Sequence, residues 1–170
     1  LSIRRQRHLC IRDRVLGIGR EFGTALNKAY SAAGVEINNK EKGIFVTLSD
    51  DKKSNFLDTI KKYIELEFTV YSTQGTGEFL KSKGIDSIIV GKANDTGQTS
   101  LSIIDEKLVS LVINTPTYAN ELTDGWKIRR LSHETGVAVV SSVREADAFI
   151  EAFLKQNLVL EDMDAIQDVS

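Results

Sequence analysis

Residues 68–85, FTVYSTQGTGEFLKSKGI, hold the groups best placed to bind a charged ligand. A short apolar run ends in Ser-Thr-Gln-Gly-Thr, and a helical pattern starts at once. Thr73 and Thr76 set two hydroxyls beside the helix start, and Gly75 lets the backbone approach a ligand closely. Free N–H groups at a helix N-terminus, with the positive end of the helix dipole, form an anion site. The same residues also cap a helix in the absence of any ligand, because threonine is a good N-cap.

Polar residues follow the other apolar runs as well. Ser49, Asp50, Asp51, Lys52 and Lys53 follow the first, and Gly91, Lys92, Asn94 and Asp95 follow the third. Asn114, Thr115, Pro116 and Thr117 follow the fourth, and Ser141 and Ser142 the fifth. If the runs are parallel strands, two lysines, two threonines and an asparagine meet in one crevice. Amines and hydroxyls around a free helix start suit a phosphate group, so a phosphorylated ligand is expected.

Catalytic candidates are poor by comparison. His133 falls within a helical pattern, in RRLSHETG, away from the strand tips. Asp50 and Asp51 are possible bases, but no histidine, cysteine or second carboxylate has an evident place beside them. There is no metal-ligand spacing and no GxxxxGK[ST] loop, and Gly17-Ile18-Gly19 is too short for a dinucleotide fingerprint. The DGWKIRR run, with Lys127, Arg129 and Arg130, reads as a solvated helix face or a face toward a partner domain.

These residues need a frame, and the pattern supplies one. Residues 43–48, 68–72, 85–90, 110–114 and 137–140 read as short buried strands. Between and after them, helices are expected over 52–66, 76–83, 101–108, 122–135 and 143–154. Phe56, Ile60 and Ile64 mark one inward stripe; Ala146, Phe149, Ile150 and Phe153 mark another. Gly84 and Gly136 read as helix stops. An earlier helix over 21–33 ends at Gly34, and 161–170 reads as a loose acidic tail. Apolar strands alternating with amphipathic helices imply a parallel sheet covered on both faces, with ligands outside the strands' carboxyl ends.

Composition sets the outer limits. A protein of 170 residues, 41% hydrophobic and 27% charged, fits one globular domain with a real core. Its net charge of −2 lacks the basic excess of a nucleic-acid footprint. The cluster Arg4, Arg5, Arg7, Arg12 and Arg14 reads as a solvated end. Cys10 is the single cysteine, so no internal disulfide forms, and a reducing, cytoplasmic setting fits. Pairing of Cys10 with His8 near a frayed terminus is not favoured as catalysis. No apolar run approaches a membrane span.

KGIFVTLSDDKK, FTVYSTQGTGEFLKSKGI, LVINTP and DGWKIRR…ETGVAVVSSVREADAFIEAF resemble, in order and spacing, the methylglyoxal-synthase-like domain. They are most similar to the version that forms the C-terminal allosteric domain of carbamoyl-phosphate synthase large subunits. VLGIGREFGTALNKAYSAAG is similar to the segment that joins that domain to the preceding catalytic region. The resemblance implies a three-layer α/β/α fold around a five-stranded parallel sheet. It divides the protein into a linking segment (1–40), the allosteric domain (41–157) and an acidic tail (158–170). It also implies a regulatory domain that binds a phosphorylated effector of the UMP, IMP or phosphoribosyl pyrophosphate type and catalyses nothing itself. Carbamoyl phosphate synthesis for pyrimidine and arginine biosynthesis would occur elsewhere, in catalytic domains using ATP and Mg or Mn, with a glutaminase small subunit as partner. No cofactor is expected in this domain, nor any nucleic acid or membrane partner, and a homo-oligomer is compatible with the reading.

Matching positions carry the family's effector contacts to Lys53, Thr73, Thr76, Lys92, Asn114 and Thr115, and Gly75, read from the loop itself, completes the expected site. There are departures. Val139 replaces a tyrosine that helps some relatives sense ornithine, and Ser141 replaces a nearby threonine. Gly97-Gln98-Thr99 replaces a common Gly-Arg-Pro, removing one positive charge. A stand-alone methylglyoxal-synthase-like lyase or inosinate-cyclohydrolase-like enzyme is the alternative on the same fold. The lyase would need an aspartate and histidines around the pocket, where this sequence has NDTGQTS and NTP.

Overall fold

The computed structural model describes residues 16–35, 43–92, 95–115 and 124–167, with side chains up to residue 155. Helix α1 (Phe22–Ala32) comes first, then strand β1 (Gly43–Thr47), a 3-10 turn (Lys53–Phe56) and α2 (Leu57–Glu65). Next come β2 (Val70–Thr73), α3 (Gln74–Ser82), β3 (Ile88–Val90), α4 (Ser102–Asp105) and β4 (Val109–Asn114). Last are α5 (Asp124–Thr135), β5 (Ala138–Val140) and α6 (Val143–Gln167). The five strands form one parallel sheet in the order β3-β2-β1-β4-β5.

The central strands are apolar on both sides because both faces are covered. Ile44, Phe45 and Val46 of β1 are fully buried, as are Leu111, Val112 and Ile113 of β4. Side chains alternate across the sheet with period two. Ile44, Val46, Leu111 and Ile113 join Phe56, Ile60, Tyr63, Leu80, Phe149 and Phe153 in one core. Phe45 and Val112 join Ile103, Ile104 and Ile128 in the other. Helices α2, α3 and α6 thus cover one face and α4 and α5 the other, which gives the three layers expected.

Helix α1 lies on α6, with Tyr30 edge-on to the Phe149 ring at 5.5 Å and Lys155 paired with Glu21 at 2.5 Å. The Gly17-Ile18-Gly19 segment lies back against α1 itself. A Cβ on Gly17 would collide with the Ala25 carbonyl, and one on Gly19 would sit 2.7 Å from the Ala25 nitrogen. The start of α6 is held by a reciprocal cap. Glu145 N–H donates to the Ser142 hydroxyl, and the Glu145 carboxylate accepts from the backbone N–H of Ser141 and Ser142. Those bonds, led by the one from Ser141, hold the Glu145 carboxyl below its ordinary range. At the inner face of α6, the Tyr63 hydroxyl donates to the Ala146 carbonyl at 2.7 Å, and burial pushes its pKa up.

Several boundaries differ from the pattern reading. The expected single helix over 52–66 opens as a 3-10 turn, and Ile64 is 40% exposed while Tyr63 takes the inward place. The strand expected over 85–90 shortens to Ile88–Val90, and its first two residues are exposed because β3 is an edge strand. The helix expected over 101–108 is a single turn. The acidic end read as loose is helical through Gln167. Gly84 and Gly136 close their helices as expected, each with φ of +75°. His8, Cys10, the arginine cluster, Asn94, Pro116 and Thr117 lie outside the described residues. Among the described residues, no helix is long and apolar enough to cross a membrane.

Candidate effector site at the carboxyl edge of the sheet

The sheet order reverses between β1 and β4: the polypeptide moves outward from β1 through β2 to β3, then returns to the other side. That switch point opens a crevice outside the carboxyl ends. Register sets the rim. Val46 is level with Ser72, Thr47 with Asn114, and Thr73 with Val90.

Three loops are tied together there. The Leu48 N–H donates to the Thr76 hydroxyl oxygen at 3.2 Å, joining the end of β1 to the first turn of α3. The Thr73 hydroxyl also donates to Thr76 Oγ1, at 3.2 Å. With Oγ1 accepting twice, the Thr76 O–H is left free to donate. Thr73 occupies the N-cap position of α3 but makes no side-chain cap bond, so its hydroxyl does not consume the helix's first N–H groups. On the other side of β1, the Ser49 N–H donates to Thr115 Oγ1 at 2.8 Å, and the Thr115 N–H donates to the Thr47 carbonyl at 3.1 Å.

Lys53 reaches into this rim from the 3-10 turn. Its ammonium donates to the Gly75 carbonyl at 2.7 Å and pairs with Asp50 at 2.6 Å. The Lys53 side chain is only 13% exposed, whereas Asp50 is 95% exposed. The Phe79 ring lies 5.9 Å from the same ammonium. The lysine is therefore held in place by a carbonyl and a ring, while its carboxylate partner hangs in solvent.

The expected site residues do not all play equal parts. Lys53, Thr73, Gly75 and Thr76 form one contiguous group, and Thr115 joins it through Ser49 and the loop after β1. Gly75 is exposed and Thr73 partly so, but Thr76 is 2% exposed and sits behind them. Asn114 is buried at the end of β4, where its Nδ2 donates to the Gly125 carbonyl at 3.1 Å. Lys92 stands apart: it is exposed beyond edge strand β3, where its backbone N–H donates to the Asp95 carboxylate at 2.7 Å and its carbonyl accepts from the Asp95 N–H at 3.1 Å. Among the described residues, its ammonium meets no partner at this rim.

Two residues noted after the first strand but left out of the expected site set belong at this rim. Ser49 provides the backbone link to Thr115, and Asp50 is the competing partner of Lys53 rather than a lone base; their i, i+3 spacing was the available signal. His133 is exposed near the end of α5, as its place in the helical pattern implied. The DGWKIRR run is solvated only in part. Arg130 is exposed and pairs with Glu134, but Ile128 is buried and Nη1 of Arg129 lies inside the fold.

Comparison with known proteins agrees with this architecture. A family model described as "MGS-like domain" matches residues 55–141. The protein is 33% identical over 139 residues to the carbamoyl phosphate synthase large chain of Clostridium acetobutylicum, a match that covers 81% of this sequence and 13% of that one. It is 34% identical over 139 residues to the C-terminal section of the large chain from Aquifex aeolicus, with coverage of 81% of this sequence and 26% of that section. The corresponding section from Methanocaldococcus jannaschii is 31% identical over 138 residues, with coverage of 81% and 22%. The protein thus spans between 13% and 26% of the length of these curated relatives. The parallel sheet, the polar rim at its switch point and the family match over 55–141 together place it in the MGS-like domain family.

Proposed function

We propose that this protein acts as the regulatory domain of a carbamoyl phosphate synthase large chain and binds a phosphorylated effector at the carboxyl edge of its sheet. The observation that carries the reading is the convergence of Lys53, Thr73, Gly75 and Thr76 beside the start of α3. A phosphate there would take the Lys53 ammonium, the Thr73 hydroxyl and the uncapped N–H groups of α3. Thr76 serves as the frame that fixes α3 against the loop after β1. Similarity to the C-terminal sections of large chains supports the regulatory context. Catalytic domains of the large chain and a glutaminase subunit would be its partners in the assembled enzyme, in the cytoplasm. Lys92 stays in the proposed set as a long side chain that would need to swing toward the ligand.

The effector would control activity by favouring one of two states of the whole enzyme, with a coupling of about 1–3 kcal/mol. The test is calorimetric titration of the protein with UMP, IMP and phosphoribosyl pyrophosphate. Binding of at least one is expected, and Lys53→Ala should weaken it by about ten- to a hundredfold, the worth of a hydrogen bond to a charged group. No heat with any of the three at millimolar concentration would overturn the reading. Unchanged affinity in Lys53→Ala would move the site elsewhere.

A further inference from the structure

The two edge strands of the sheet are finished differently. On β5, Ala138 and Val140 are buried. On β3, Ile88 is 45% and Ile89 52% exposed, and Ile88 borders, with Ile64, an apolar hollow where the strand begins. An uncovered apolar edge strand is a template for pairing, and folded proteins blunt such edges with lysine, proline, bulges or a covering segment. Residues 86–90 read Asp-Ser-Ile-Ile-Val, with no lysine or proline. A covering segment is present only past the far end. There the Gly91 N–H donates to the Gln98 carbonyl, and the Gly91 carbonyl accepts from the Ser100 N–H, both at 3.0 Å.

Those two bonds fix which way the backbone of β3 faces. Gly91 gives both its groups to residues 98–100 rather than to β2, whose ladder with β3 ends at Val90. Backbone groups alternate sides along a strand, so Ser87 and Ile89 turn theirs to the same outer side as Gly91. Among the described residues, no backbone group takes them there. The open stretch is therefore short, apolar and bounded: it runs from Asp86 to Ile89 and stops where residues 98–100 close the edge.

The charges at its two ends point to the occupant. Asp86 is exposed at the start of this stretch and Lys92 is exposed beyond its end. A two-fold axis sets two copies of one strand antiparallel and makes every contact twice. It brings the Asp86 end of each copy to the Lys92 end of the other, so opposite charges meet at both ends, while Ile88 and Ile89 of the two copies cover one another. We propose that β3 pairs edge to edge with β3 of a second copy of this protein, antiparallel across a two-fold axis, so that two five-stranded sheets become continuous. The contact uses none of the groups at Lys53 and Thr73, and it stands independently of effector binding.

The test is sedimentation equilibrium of the 170-residue protein from about 1 µM to about 1 mM. The wild-type mass should rise with concentration from one copy toward two. Ile88→Lys puts a charge on the open edge and should weaken association about tenfold or more. Asp86→Lys and Lys92→Asp should each weaken it about two- to fivefold, and the double exchange should restore it, which a merely structural role of either residue would not do. Unfolding at the lowest concentration, where single copies prevail, should match the wild type and shows that the variants fold. A single-copy mass throughout, or a dimer that Ile88→Lys leaves as tight as before, overturns the proposal. So does a double exchange that associates no more tightly than either single one. Should Ile88→Lys lose the fold, the charge exchange decides alone.

Discussion

The two ends of the sheet differ in kind. At the carboxyl edge, side-chain hydroxyls and amides bond across strands and loops: Thr76 to Leu48, Thr115 to Ser49, Asn114 to Gly125. At the opposite end, where β2 and β3 begin, lies a groove of about 680 Å³. It is lined by Ile64, Phe68, Val70, Ile85 and Ile88, with Lys61 and Lys83 at its margin. The groove is roomy, yet it offers a phosphate no array of fixed donors. Room and apolar lining favour small-molecule binding in general. A doubly charged group instead needs preset N–H and O–H groups and a cation, and those stand at the other end.

That contrast yields four measurable consequences, the largest at the polar rim. Thr76→Val keeps the shape but leaves the buried Leu48 N–H without its acceptor. It should cost about 1–3 kcal/mol of stability in thermal or urea unfolding, and weaken effector binding as the loop after β1 loosens from α3. Full stability would show that water or another acceptor replaces the hydroxyl.

Next in size is the cap beyond β5. Glu145→Gln should cost about 0.5–1 kcal/mol at neutral pH. The folded carboxyl is held below its ordinary value of 4.5, so its contribution is present above that value and fades as pH falls through the lower folded pKa. Unfolding curves of wild type and variant should therefore converge in acid. A gap that persists well below 4.5 would assign the effect to shape rather than charge.

A smaller change, of opposite sign, is expected at Asp50. Its carboxylate competes with any anion for Lys53, but it is almost fully exposed and so strongly screened. Asp50→Asn should raise affinity for UMP or phosphoribosyl pyrophosphate about two- to fivefold, and the gain should shrink at high salt. Weaker binding would mean that Asp50 positions the lysine more than it competes for it. The smallest effect belongs to the groove. Ile88→Ser, on the exposed edge strand, should change stability by less than about 0.5 kcal/mol and leave phosphate-ligand affinity alone. A marked loss of affinity there would turn the comparison around and make the groove part of the site.

The fold was readable because its signals are local. Short apolar strands, helical stripes and the glycines at 84 and 136 each act within a few residues, and the parallel α/β frame follows from their alternation. The errors fell where neighbours decide. Ile64 has the right helical spacing for the core, but it lines the open groove beside Ile88 and stays 40% exposed, and Tyr63 turns inward to reach the Ala146 carbonyl. The acidic stretch after residue 160 lacks an apolar stripe of its own but continues α6.

The site divides along the same line. Residue types at the strand ends already announced hydroxyls, amides and lysines around a helix start, since any parallel sheet gathers its strand-end loops on one side. Which of them touch depended on strand order. Because β4 pairs with β1, Thr115 meets Ser49, and because β3 is the outer strand, Lys92 is left at a distance. The burial of Arg129 Nη1 and the capture of Lys53 by both Asp50 and Gly75 were likewise settled by packing. Chemical inventory is written along the sequence, but distances between loops far apart in it are set by how the strands pair and how the helices pack against them.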